Sequence, residues 1–559
     1  MAIADPAGPR TRAARVRYGL ALTALLPAWL AAQTLPPRGG APSMAPTDGA
    51  VPLQDGTVPT DPSATIGTGA AGTRRQGAAL SPETRRTTVV PGIRASALGT
   101  NNIDLEPKGS QKNGTLLEVV PYVEAIFNSP GLVGMGYYGL RLQDRLGGRD
   151  EGRDARNDLR AWADFRIVPD RFRILTQATV TDVVVSPYGS SSFDPGAQRS
   201  NRTQYKEVGL APYLFGRFDG EGTWFAQYAA LVVDPGSTFQ RSVAQSVRGD
   251  VRSDLVARRV GWQVRAEYYD VAYDGGVAYT GAETDLLGWW RPAMQLRVGA
   301  GAAYSRNELL ADEQGRKEGW GPALAFEWAP DQRTFVTGRW ADRYYGNSGE
   351  LRASYRGMQS IFGLRYFSGL TDGNRVGRVG LNTGSLFNAS QQPGTPTTTT
   401  SNGVSQALFD QNLLGQTSAS LGSGLVNSPL VYADELVASI GWIGLRDSLV
   451  GDVFVNNRRT AVAFSGIQPE NTEQRGASLS YLHKLTPRAR VTLSGRRQFT
   501  ESLTDGSTAT LDSLFLNLDY KLSPTLVSSL GGRLQRQKGE GLAVSYEEAA
   551  LFGAIDYRF

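Results

Sequence analysis

From about Thr87 to the C-terminus, apolar and polar residues alternate with a period of two. Successive side chains of an extended strand point to opposite faces, so the pattern describes strands with one apolar and one polar side. In one stretch Leu159, Ala161, Ala163, Phe165 and Ile167 alternate with Arg160, Trp162, Asp164 and Arg166. After Val168-Pro169-Asp170, the residues Phe172, Ile174, Thr176, Ala178 and Val180 alternate with Arg171, Arg173, Gln177 and Thr179. The pair predicts an antiparallel hairpin with a tight turn. Helical spacing would scatter arginine over every face.

Such hairpins recur. "WWRPAMQLRVGAG" (Trp289 to Gly301) returns as "EWAPDQRTFVTGR" (Glu327 to Arg339), with Pro292 and Pro330 38 residues apart. "HKLTPRARVTLSGR" (His483 to Arg496) returns as "YKLSPTLVSSLGGR" (Tyr520 to Arg533), with Pro487 and Pro524 37 apart. One unit is therefore two strands, a short turn and a longer loop, and in outer-membrane barrels the short turns face the periplasm. Short connections fall near Pro130, Pro169, Gly220, Gly261, Pro292, Pro330, Gly357, Ser448, Pro487 and Pro524. With a first strand near Thr87 to Asp104 and a last one ending at Phe559, the count is about 22, within a range of about 18 to 22. The fold expected for residues 87–559 is all-β: a single closed antiparallel transmembrane β-barrel, too wide for side chains to fill.

The C-terminus carries the strongest local signal. Phe559, Tyr557, Ile555, Gly553 and Leu551 form a lipid face, while Arg558, Asp556 and Ala554 suit a lumen. This resembles the terminal signal read by the machinery that inserts outer-membrane barrels, with Phe559 and Tyr557 as its aromatic elements. Upstream, Leu514, Leu516, Leu518, Tyr520 and Leu522 share one face, and Ser513, Asn517, Asp519 and Lys521 share the other with one exception, Phe515. The candidate lumen-facing residues are Arg496, Asp519, Lys521, Arg533 and Asp556, with Arg496 and Arg533 expected near Asp519 and Asp556. Mutual pairing that stiffens a wet wall is favoured over contact with a translocated anionic polymer.

Residues 1–32 read as a signal peptide: a basic stretch (Arg10, Arg12, Arg15, Arg17), an apolar run from Leu20 to Leu30, and Ala31-Ala32 as the cleavage site. Residues 33–86, rich in Pro, Gly, Ala and Thr, cannot bury a core and are expected to be a disordered periplasmic leader. Residues 370–430 read as one long loop, extracellular or folded into the lumen, and "GGRDEGRDARND" (Gly147 to Asp158) as a charged outer loop.

Mean hydropathy is -0.28, too polar for a helical membrane protein but suited to strands of which every second residue meets lipid. The chain has no cysteine, which excludes disulfides, thiolate metal sites and a lipidated N-terminal cysteine. Losing residues 1–32 removes four arginines and Asp5, so the net charge of +5 falls to +2 and no nucleic-acid partner is implied. The single histidine, His483, excludes two-histidine metal motifs. It shares a face with Ala477, Leu479, Tyr481 and Leu485 just before a periplasmic turn, where it is expected to lie among headgroups without a partner. Neither a G-x-S-x-G elbow nor a phosphate-binding loop occurs. No catalytic residue, cofactor or resident metal is expected, although carboxylate sites for Ca²⁺ or Mg²⁺ stay open.

The block "EGWGPALAFEWAPDQRTFVTGRWADRYYGNSGELRASYRGMQSIFGLRYF" (Glu318 to Phe367) and the opening "NNIDLEPKGSQKNGTLLEVVPYVEAIF" from Asn101 carry a resemblance. They are similar to an uncharacterised outer-membrane barrel family associated with PEP-CTERM/exosortase systems, with Asn101-Asn102 where an aspartate-asparagine pair is usual. The resemblance implies a role in the cell envelope or in exopolysaccharide export. The expected location is the bacterial outer membrane, with lipid, lipopolysaccharide, the insertion machinery and a polysaccharide as partners. The leading expectation is a non-enzymatic conduit; a general or solute-selective porin is the alternative, ahead of a barrel hydrolase or an adhesin. Deleting Phe559 should lower the heat-modifiable outer-membrane fraction and leave protein in the periplasm, and unchanged assembly would refute the C-terminal signal.

Overall fold

The computed structural model describes residues 87–559 except 150, 169–170, 185, 187, 191–200, 219–221, 235, 237–239, 254–258, 313, 332, 372–429 and 463–470. The signal segment 1–32, the leader 33–86, nearly all of the 370–430 loop and the turn residues Pro169 and Gly220 lie outside the described residues. Alternation produces β1 (Thr88–Thr100), β2 (Gly114–Asn128), β3 (Leu132–Leu146), β4 (Gly152–Val168), β5 (Phe172–Val184), β6 (Arg202–Phe218), β7 (Gly222–Asp234), β8 (Ser242–Ser253), β9 (Val260–Tyr273), β10 (Ala278–Ala293) and β11 (Leu296–Asn307). It continues as β12 (Glu318–Trp328), β13 (Thr334–Arg343), β14 (Gly346–Arg356), β15 (Ser360–Thr371), β16 (Val431–Ile443), β17 (Asp447–Thr460), β18 (Thr472–Lys484), β19 (Ala489–Ser502), β20 (Thr508–Lys521), β21 (Leu526–Glu540) and β22 (Tyr546–Arg558).

Each strand pairs antiparallel with its neighbour in sequence, and β22 returns to β1 in the register Gly92↔Arg558 through Thr100↔Ala550. The 22-stranded sheet is closed and has no edge. Strands of 10 to 17 residues meet or exceed the ~9–11 that a tilted strand needs to cross a bilayer. The hairpin read at residues 159–180 forms as β4–β5, with Phe165 opposite Ile174.

β1 ends at Thr100 rather than near Asp104, because the chain turns inward there and fastens itself across the closing seam. Asn101 exchanges two hydrogen bonds with the Ala549 backbone: its N–H donates to the carbonyl at 3.1 Å and its Oδ1 accepts from the N–H at 2.8 Å. Asn102 is fully buried; its Nδ2 donates to the carbonyls of Glu106 and Glu547 and its Oδ1 accepts from the Glu106 N–H. Asp104 accepts from Arg145 and from the Arg149 N–H, and Ile103 and Leu105 are buried beneath. The motif that opens the family resemblance is therefore a clasp.

A second boundary also differs from expectation. Of "GGRDEGRDARND", only residues 147–151 connect strands, and Gly152 onward belongs to β4, paired to β3 from Arg145↔Gly152. Asp154, Arg156 and Asp158 alternate onto the inner face, where Arg156 meets Asp154 at 2.7 Å and Asp182 at 3.1 Å. Alternating charge on a water-facing strand is as regular as alternating apolarity.

Two faces follow from parity. Leu530, Leu534, Leu551, Ile555 and Tyr557 are exposed, while Arg533, Gln535, Glu548 and Asp556 on the same strands are buried. Arg343 of β13 reaches Asp285 of β10 at 3.2 Å, across two intervening strands, a contact open only to the concave side. The charged set is thus inside and the apolar set faces out. Trp262, Trp290, Trp328 and Trp442 stand exposed near the ends of their strands bearing short turns, as an interfacial girdle requires. A closed ladder with an apolar exterior and a polar interior makes this chain an outer-membrane β-barrel.

Glycine is indispensable at Gly301 in β11, where a Cβ would stand 1.8 Å from the Leu286 carbonyl oxygen of β10. Backbone cannot yield as a side-chain tip can. Gly301→Val should destabilise the wall by about 2 kcal/mol or more and sharply reduce the heat-modifiable form on cold electrophoresis; normal assembly would refute that close approach.

Candidate functional site

The inner wall is the site that the fold builds, and its charges are matched locally. In the closing sector Arg490 reaches Asp519 at 2.8 Å, and Ser529 and Asn517 donate to the same carboxylate. Arg533 meets Glu548 at 2.8 Å, both nearly inaccessible, and Thr100 donates to that glutamate. Arg94 meets Asp556 at 2.7 Å, with the Tyr122 hydroxyl donating to its other oxygen at 2.7 Å.

All five sequence-selected residues alternate with the exposed apolar set, but their partners differ from those expected. Asp519 lies opposite Arg490, whereas Arg496 lies opposite Ser513, six residues further along β19 and roughly 20 Å away in an extended strand. Arg496 instead donates to Gln498 at 2.6 Å and stands 5.8 Å from the Phe454 ring centre. Asp556 takes Arg94, and Lys521 lies partly buried near the short-turn end. Antiparallel register, which parity alone does not supply, chose these pairs. Phe515, the exception to polar alternation, stacks on Phe552 at 5.3 Å on the inner face.

Two further sectors repeat the arrangement. Across β3–β6, Arg141 and Arg160 share Asp158 at 3.2 and 3.1 Å, Arg173 meets Asp164 at 3.3 Å, and Gln177 and Tyr205 donate to Glu207. Across β10–β13, Arg339 and Arg343 share Asp285 at 2.8 and 3.2 Å, and Arg297 meets Glu327. Among the described residues, no group of three His, Asp or Glu side chains is placed to hold a metal ion.

A feature missed from sequence lies at the end opposite the short turns. Tyr269, Val271, Tyr279 and Leu430 are buried together, with Leu309, Leu370, Ala461 and Val462 packed against them. They come from β9, β10 and β15 and from the chain just after β11, just before β16 and just after β17, so the cluster crosses the inside of the mouth. The two-residue turn Tyr344-Tyr345 joins it: Tyr344 donates to the Leu310 carbonyl at 3.2 Å, Tyr345 donates to Glu283 at 3.3 Å, and Tyr432 donates to the Tyr345 carbonyl at 3.1 Å. Burial, and then the Glu283 carboxylate, pushes the Tyr345 phenol well above its ordinary range; burial does the same for Tyr344. Both remain hydrogen-bond donors. Two adjacent tyrosines at a tight turn were the available signal, and consecutive aromatics there are more readily read as exposed.

His483 is on the outer face at the short-turn rim, but it has partners there. Its Nδ1 lies 2.6 Å from Asp447 Oδ1, the Tyr481 hydroxyl donates to the same oxygen, and the Tyr481 and His483 rings stack at 6.3 Å. Asp447 opens β17 directly opposite His483, a juxtaposition of strands 36 residues apart that local reading cannot supply. The imidazole is oriented, as a general base would be. Its outer-face neighbours Leu449, Leu485 and Val491 offer no nucleophile, and the Tyr481 phenol is already engaged. His483→Asn should leave the heat-modifiable fraction within about twofold of the parent, and loss of an activity in an assembled mutant would overturn the expectation that His483 is not catalytic.

No family model matches the chain, and no curated protein matches it significantly. Several solved structures align with it over most of its length. The siderophore receptor PirA of Pseudomonas aeruginosa is 11% identical over 85% of this chain and 81% of that one, with a TM-score of 0.37. PirA of Acinetobacter baumannii is 9% identical over 85% and 81%, with a TM-score of 0.44. The F3-3 variant of the FrpB iron transporter of Neisseria meningitidis is 9% identical over 84% and 81%, with a TM-score of 0.45.

Proposed function

We propose that this barrel is a non-enzymatic conduit for a polar cargo of low charge, and that the cargo is an exopolysaccharide. The observation that carries the reading is the pairing of wall charges: Arg490 with Asp519, Arg533 with Glu548, Arg94 with Asp556, Arg173 with Asp164 and Arg339 with Asp285. Paired charges cancel at a distance, so the wall exerts little net field on a passing ion. They retain donors and acceptors for a hydroxyl-rich chain. The sequence resemblance to a family linked with exopolysaccharide production supports the same reading.

Reconstituted into planar bilayers, the chain should conduct with little preference between K⁺ and Cl⁻, and a neutral polysaccharide should interrupt the current where its free monosaccharides do not. Arg533→Gln should leave Glu548 uncompensated and shift selectivity toward cations by about twofold or more. Equal permeation of sugars and polymer without interruption would replace the export reading with a general porin. Failure to conduct at all would refute both.

A further inference from the structure

The outer wall carries a second organised surface, arranged in rows by the register of β19–β22 and β1. Arg497, Asp512, Arg536 and Glu547 are directly paired in sequence across four strands, on the face that meets lipid. Arg497 lies 3.5 Å from Asp512 and Arg536 lies 3.0 Å from Glu547, with every side chain at least 41% exposed. The next row outward runs Arg475, Phe499, Thr510, Lys538, with the Arg475 guanidinium 4.6 Å from the Phe499 ring centre. Glu473, Glu501 and Glu540 lie beyond, so the cations are held between carboxylates and the apolar wall.

Immediately inward, two rows are apolar and stepped. Gly495, Leu514, Leu534 and Ala549 are followed by Leu493, Leu516, Gly532, Leu551 and Gly99. Leu514, Leu516, Leu534 and Leu551 border an open groove of about 1020 Å³ that has Gly532 and Gly99 in its floor and crosses the β22–β1 seam. Its volume is comparable to that of the largest ligand clefts, ~1,000 Å³, but it lies open to the lipid along its length. Backbone packing does not demand these glycines. A Cβ at Gly99 would meet nothing within 4 Å, and one at Gly532 would make only ordinary contacts, with the Leu551 side chain at 3.4 Å and the Ala550 carbonyl oxygen at 3.6 Å. Glycine weakens a strand interior, so two dispensable ones beneath a groove suggest that the space itself is used.

We propose that this surface seats one phosphorylated, multiply acylated glycolipid of the outer leaflet. Its acyl chains lie in the groove over Gly532 and Gly99, and its phosphates meet Arg497, Arg536 and Lys538. Guanidinium groups bind phosphate in a bidentate fork, and each can exchange its carboxylate neighbour for a phosphate at the headgroup level. Groove and cations lie on the same strands in the order that a membrane amphiphile requires.

Native mass spectrometry of the full chain, delipidated in detergent, tests this with bis-phosphorylated hexa-acyl lipid A, its dephosphorylated form and phosphatidylglycerol as probes. One lipid A per barrel should be retained, with the other two probes retained less. Gly532→Leu, which fills the groove, and the double variant Arg536→Gln/Lys538→Gln should each lower retention by about tenfold. Arg306→Gln, a cation on a different sector, should not. Heat-modifiable mobility establishes that each variant is folded. Equal retention by the parent and both variants, or of phosphatidylglycerol as well as lipid A, would overturn the site in favour of an undifferentiated apolar wall.

Discussion

The structure depends on one constraint: backbone N–H and C=O groups inside hydrocarbon have no water to bond, so every strand must have two neighbours. The ladder from β1 through β22 satisfies it for all strands but the first and last, and the β1–β22 pairing satisfies it for those. Alternation, aromatic placement and charge pairing are all consequences. A strand bonded on both edges has only its two faces left to vary, and closure makes one face lipid and the other lumen. The Asn101–Asn102 clasp belongs to the same logic, since it supplies partners to the backbone of β22 where β1 leaves the sheet.

Much of this was legible in the residues, because period-two alternation is a direct record of facing. Strand number and antiparallel order follow from the spacing of the short turns, and the side of Phe559 and Tyr557 and the inward parity of Asp519 and Arg533 follow from counting in twos. Partnership was not legible. Asp519 and Arg490 stand 29 residues apart, and Asp447 and His483 stand 36 apart; which residue faces which depends on turn length and stagger. For that reason parity alone gives the lumen carboxylates the wrong arginines and leaves His483 without its Asp447 partner. The tyrosine cluster escaped for a related reason, since Tyr345, Tyr432 and Tyr269 are united by curvature of the whole sheet.

The two faces handle charge differently. Inside, arginines share carboxylates, as Asp158 and Asp285 each take two, so the wall forms a network rather than isolated pairs. Outside, the ion pairs of Arg497 and Arg536 stand exposed above leucine rows, where they mark the depth at which hydrocarbon gives way to headgroups. A charged residue on a lipid-facing strand costs least near the interface, so its position along the strand works as a depth gauge. Asp447 with His483 gives the corresponding mark at the opposite rim.

The double pairing of β1 has a mechanical consequence. β1 is bonded to β2 along its whole length and to β22 over Gly92–Thr100, and its N-terminal end is at the rim of the short turns. A pull on that end from the periplasmic side runs along the strand axis. It loads both ladders in shear, so many hydrogen bonds must fail together rather than one at a time, as they would if the strand were peeled sideways. Tension applied at Thr88 is therefore spread across the seam to β22 and, through the Asn102 bond to the Glu547 carbonyl, to the far end of the wall. The barrel can be held or hauled by its first strand without being unzipped.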